Sequence, residues 1–199
     1  PGPWRGPGKA NFIVLGFWNY TEDAFEPPYP VFEGDANYDF NEYKPSKSEI
    51  RLQSSFNATN FMGSWYELYH TRNYPYSPEY ATEIGAFYVM NPDKTIGLAN
   101  RQWRSDEGTW RVDYGLARQV EPARLAVQFM PWVAPDDFRI LSTDYITVAA
   151  VYSEIQYQPD GLVKRYGAIL SRTTNLDEEV LNQTFSLFKE RVNFTRSDF

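Results

Sequence analysis

Eight short runs of strand-forming residues follow one another from residue 65 to residue 170, and no helical pattern separates them. The runs are Trp65–Arg72, Thr82–Met90, Thr95–Trp103, Thr109–Ala117, Arg124–Phe129, Phe138–Leu141, Ile146–Ser153 and Leu162–Leu170. Turn-forming clusters divide them: Asn91-Pro92-Asp93-Lys94, Ser105-Asp106-Glu107-Gly108 and Gln158-Pro159-Asp160-Gly161. Parallel neighbours would need crossover helices, so this spacing selects an antiparallel meander, either a sandwich or an up-and-down barrel.

One helix follows the strands. Asp177, Glu178 and Glu179 suit the positive end of a helix dipole. Val180, Leu181, Thr184, Phe185, Leu187 and Phe188 recur at helical spacing, and Lys189 and Arg191 close the pattern. The apolar stripe predicts docking on the outside of the sheet.

Residues 1–50 are different. They hold Pro1, Pro3, Pro7, Pro27, Pro28, Pro30 and Pro45, half of the 14 prolines, together with aromatics such as Trp4, Trp18, Phe32 and Tyr43. Each aromatic left in water forgoes about 1.5–3 kcal/mol of burial. The expected organisation is therefore an extension over 1–50 that packs on the strand domain, lids it or joins it to a second copy, and the strand domain with its helix over 51–199.

Composition removes several function classes. A net charge of −7 opposes non-specific binding to nucleic acid or to anionic membrane. Without Cys there is no disulfide, thiol nucleophile or thioether link, and a single His leaves little room for a His-based metal site. No run of about 18 apolar residues is present to span a membrane as a helix. Four acceptor sequons, at Asn19, Asn57, Asn182 and Asn193, point to a secreted glycoprotein. Pro1-Gly2-Pro3-Trp4 has no basic start or apolar core, so the chain reads as a mature or trimmed product.

Three stretches, in order, carry a family resemblance. Asn60-Phe-Met-Gly63-Ser-Trp65-Tyr66 resembles the Gly-x-Trp signature that opens the first strand of lipocalins. Thr143-Asp144-Tyr145 resembles their second signature, and Ile169-Leu170-Ser171-Arg172 before the helix resembles their third. Residues 121–129 are similar to the apolipoprotein D and bilin-binding branch. The resemblance covers about residues 57–192. It implies an eight-stranded antiparallel calyx with one helix packed outside. It also implies that Trp65 plugs the closed end, that Arg172 lies across its ring, and that Gly63 makes the entry turn. Asp144 is expected to accept backbone N–H groups beside Thr143 and Tyr145.

Strand alternation then suggests the cavity wall. From Trp65, Glu67 and Tyr69 share one face, and His70 takes the other. Tyr166, Ala168 and Leu170 share a face with Arg172. The resemblance implies that Tyr88, Asn100, Gln102 and Arg104 turn inward, with Tyr114 and Phe129 as further wall residues. It also implies a widened pocket at Ala168, where related chains carry a large aromatic. A buried Arg104 would call for a ligand carboxylate. The expected function is a carrier of a small hydrophobic ligand held non-covalently. A biliverdin-like pigment comes first, and a retinoid, carotenoid, fatty acid or steroid is the alternative. An enzymatic role has no support, because the needed Cys is missing and Glu67 has no evident partner.

Overall fold

The runs of alternating residues close on themselves. A computed structural model describes residues 38–72, 74, 81–130, 133–156 and 163–199. Its eight strands are β1 (Gly63–His70), β2 (Ala81–Met90), β3 (Ile96–Arg104), β4 (Thr109–Glu121), β5 (Arg124–Gln128), β6 (Asp136–Thr143), β7 (Val148–Gln156) and β8 (Val163–Ser171). Each pairs antiparallel with the next, and β8 returns to β1, so the sheet is a closed barrel. Closure leaves no unpaired edge. The expected order of eight strands holds. β4 runs on to Glu121, beyond the expected Ala117, because Leu116, Ala117, Arg118 and Gln119 pair with β5. The expected turn at 158–161, the sequon at Asn19 and the extension over 1–37 lie outside the described residues.

Alternation sorts the side chains into two cores. Inside lie Leu98, Leu125, Val127, Ile140, Val151 and Leu170 with Trp65 and Tyr88. Outside, Leu141, Ala150, Tyr152 and Ile169 form a second apolar face. The helix α2 (Glu178–Val192) covers that face with Leu181, Phe185, Phe188 and Val192. Asp177 caps it by accepting from Glu179 N–H at 2.8 Å, and Asn193 ends it in the left-handed conformation at φ 59°. Gly167 on β8 lets the helix approach: a Cβ there would stand 2.9 Å from the Phe188 ring. Among the described residues, no helix is long and apolar enough to cross a membrane.

Residues 43–53 cross the outer face of β5–β7 and are held there by buried charge. Asp137 accepts from Arg124 Nε at 2.8 Å, from Arg139 Nη2 at 2.6 Å, from the Tyr43 hydroxyl at 2.9 Å and from Ser46 N–H at 2.9 Å. Ser46 and Ser48 hydroxyls donate to Glu154, which also accepts from Tyr152. Arg139 is 1% exposed. Burying these charges is tolerable because each has partners. Gln53 N–H then donates to Ile140 O at 3.1 Å, which continues the attachment toward the closed end.

Candidate ligand-binding site

The closed end is built from three elements. A short helix α1 (Ala58–Phe61) delivers Phe61, whose carbonyl accepts from Trp65 Nε1 at 2.9 Å and whose ring stacks on Trp65 at 5.1 Å. Arg172 lies over the indole, with its Cζ 3.7 Å from the ring centroid. Its guanidinium donates to Ser64 O at 2.6 Å, Met62 O at 2.9 Å and Tyr145 O at 3.0 Å. Gly63 has φ +93°, and a Cβ there would meet Arg172 Nη1 at 3.4 Å, so the position suits glycine on both counts. Thr143 Oγ1 accepts from Tyr145 N–H, and the Tyr145 hydroxyl donates to Ser55 O. Asp144 accepts from the N–H groups of Ile146, Thr147 and Val148. Burial alone would raise the Asp144 carboxyl, but these bonds outweigh it and hold the carboxyl below the usual range.

Register places the wall residues above this floor. Trp65 pairs with Ala86 and Ala86 with Asn100, so Asn100 stands level with the plug. Tyr88 pairs with Gly63 below it and packs on Phe61 at 5.3 Å. Burial pushes the Tyr88 phenol well above its ordinary value, and the Glu67 carboxylate adds to the effect. Gln102 follows Asn100 on the same face of β3, one step nearer the open end. Phe129 packs against the interior core beside Gly115. Ala168 and Tyr166 are buried on the face of β8 that carries Leu170.

Three expected placements do not hold. Tyr69 is not a cavity residue. It joins the outer core and meets Phe185 of α2 edge-on at 5.6 Å. The cause is a register shift between Glu67 and Tyr69: Glu67 pairs with Leu170, Tyr69 with Ile169 and His70 with Ala168. The extra residue, Leu68, reverses the alternation. The same shift turns His70 inward, where its Nδ1 lies 2.9 Å from Glu67 Oε1, so Glu67 does have a partner. Tyr114 also falls on the outer face. It pairs with Ala99, in phase with Trp103 and Trp110 and out of phase with Leu98 and Asn100.

Arg104 has the expected burial, at 7% exposed, but not the expected need. Asp106 takes its Nε and Nη2 at 3.1 Å each, and Glu107 lies 3.0 Å from Nη2. The hairpin turn that follows β3 thus neutralises it. The signal was present in the spacing, since both acids sit within three residues of Arg104 in a turn. The interior keeps a different demand. Asn100 Oδ1 and Gln102 Oε1 are buried without a hydrogen-bond partner. Neither was singled out by sequence as an acceptor.

A separate groove of about 810 Å³ lies outside the barrel at its closed end, between residues 56–59 and the turns after β2 and β4. It shares with the interior core only Phe56, Ala58 and Met90, at that core's edge.

Family comparison agrees with this geometry. A model of the lipocalin-like domain matches residues 56–196. The chain belongs to the lipocalins. This lipocalin is 36% identical over 105 residues to apolipoprotein D of Mus musculus, covering 51% of this chain and 53% of that one. The chain thus spans about half the length of that relative. It is 31% identical over 144 residues to temperature-induced lipocalin-1 of Arabidopsis thaliana, covering 69% and 74%. Its fold is similar to lobster apocrustacyanin A1, with a TM-score of 0.59 and 21% identity over 78% of this chain and 90% of that one.

Proposed function

We propose that this lipocalin is an extracellular carrier that holds a small hydrophobic ligand non-covalently inside its barrel. The observation that carries this reading is the interior itself. One end is plugged by Trp65, Phe61 and Arg172. Above the plug, an apolar wall that includes Leu98, Val127 and Val151 surrounds buried amide groups. An eight-stranded barrel is just wide enough for one small ligand. The wall residues proposed to touch it are Tyr88, Asn100, Gln102, Phe129 and Ala168, with Arg104 at the rim.

A bilin is the first pigment to test. Ala168 is a small residue among the buried ones of the interior, which favours a flat ligand, and Tyr88 and Tyr166 supply aromatic wall. Since Arg104 is already paired, propionates gain no free guanidinium there. The extracellular reading is supported by the exposure of Asn57, Asn182 and Asn193, the three sequon residues within the described region. Assembly through residues 1–50 is a separate proposal, tested by light scattering with and without them. Native mass spectrometry and visible spectroscopy of the protein from its natural source test the carrier. Bound apolar mass is expected. A colourless preparation that gains no absorbance with biliverdin ends the pigment version, and failure to take up any hydrophobic probe ends the carrier reading.

A further inference from the structure

We infer that the ligand enters with a neutral hydroxyl-bearing end leading, and that the barrel rejects the matching carboxylate. This rests on the carrier reading and narrows it. Gln102 is 6% exposed and its Oε1 has no partner, and in the half-buried Asn100 the Oδ1 atom is likewise enclosed and unpaired. A buried polar atom without a partner costs free energy that a ligand group can recover. Both residues stand on the interior face of β3, and Asn100 is level with the Trp65 plug, so the group that meets them is the deep end of the ligand.

The chemistry of that group follows from its neighbours. Amide side chains present a carbonyl on one side and an NH₂ on the other, and a hydroxyl can both donate and accept. Its donated hydrogen satisfies the unpaired carbonyl oxygens that Asn100 and Gln102 present. A carboxylate accepts only, and would face those two carbonyl oxygens with nothing to donate. The nearest interior carboxylate also opposes it. Glu67, on the interior face of β1, has a side chain only 9% exposed and already sits against His70. A desolvated carboxylate brought beside it would add a second buried negative charge. Among hydrophobic ligands, this sets long-chain, retinol-like or sterol-like alcohols ahead of the corresponding acids.

The test compares matched pairs on the full chain near neutral pH: retinol with retinoic acid, and octadecanol with stearic acid, by displacement of a fluorescent apolar probe. The alcohol of each pair is expected to bind at least about tenfold more tightly. In Asn100→Leu/Gln102→Leu, alcohol affinity should fall about tenfold while acid affinity holds. The two single variants serve the same purpose if the double variant does not fold. Acids bound as tightly as alcohols, or alcohol affinity unchanged in folded variants, overturn this inference and leave the carrier intact. A barrel that binds the apolar probe but shows no preference has the same meaning. A barrel that binds neither the probe nor any of the four compounds overturns both readings.

Discussion

Arg172 lies on Trp65, with its guanidinium carbon 3.7 Å from the indole centroid, and its three nitrogens reach carbonyls on both sides of the barrel floor. One side chain thus joins the residues before and within β1 to the turn before β7. The cation needs no carboxylate contact here, because backbone oxygens and a ring face replace its water.

Arg172→Ala should therefore destabilise the barrel by about 3 kcal/mol, since it strands several carbonyls and removes the ring contact. Arg172→Lys should recover only part of this, as an ammonium cannot span the same acceptors. Urea unfolding followed by Trp fluorescence reads both. Equal stability of the Lys variant and the parent would contradict the geometry.

Tyr69→Ala should lower stability by about 2 kcal/mol through its lost contact with Phe185, and should leave ligand affinity unchanged. A selective loss of affinity with full stability would return Tyr69 to the cavity. Thermal melts and a probe titration on the same sample separate the two outcomes.

Acid should loosen the strap over β5–β7. Burial would raise the Asp137 carboxyl, but its bonds to Arg124, Arg139 and Ser46 N–H hold it at about 2 against an ordinary 3.8. A depressed folded value means that the stabilisation is fully present above about 4 and is lost as pH falls toward about 2. Hydrogen exchange at Ser46 and Gln53 should rise across that window, where the parent loses stability more steeply than Asp137→Asn. Parallel pH profiles for the two would count against the role of this carboxylate.

Gly167→Val should push α2 away from β8, because a Cβ at this position already meets Phe188 at 2.9 Å. Overpacking of this kind costs about 1–3 kcal/mol. Weaker helix protection in hydrogen exchange, with the closed end unaffected, is the expected pattern.

Ala168→Phe should narrow the cavity. Affinity for a wide ligand such as biliverdin should fall by at least about tenfold, while a slender alkyl alcohol should lose much less. Parallel titrations compare them, and an equal loss for both would place Ala168 away from the ligand.

Strand order, the late helix, the plug and its arginine were all legible in the residues. Turn chemistry and period-two alternation are local properties and pointed to an antiparallel meander, while the closed barrel, the plug and its arginine came from the resemblance of three short signatures to the lipocalins. Even Arg104 carried its answer nearby, in Asp106 and Glu107. What alternation alone could not supply was phase. One extra residue at Leu68 sends Tyr69 out to Phe185 and brings His70 in to Glu67, and that shift exists only in the pairing of β1 with β8. Tyr114 shows the same limit, since its face depends on which residue of β3 it meets. The attachment of residues 43–53 required Asp137, Arg139 and Glu154 to be brought together from two strands. So the amino-acid order by itself determined an eight-stranded meander with a helix on its flank, and its signatures marked that meander as a plugged barrel. Only the tertiary structure decided which polar groups stay unpaired inside it, because satisfaction of a buried amide or guanidinium depends on neighbours that are distant in sequence.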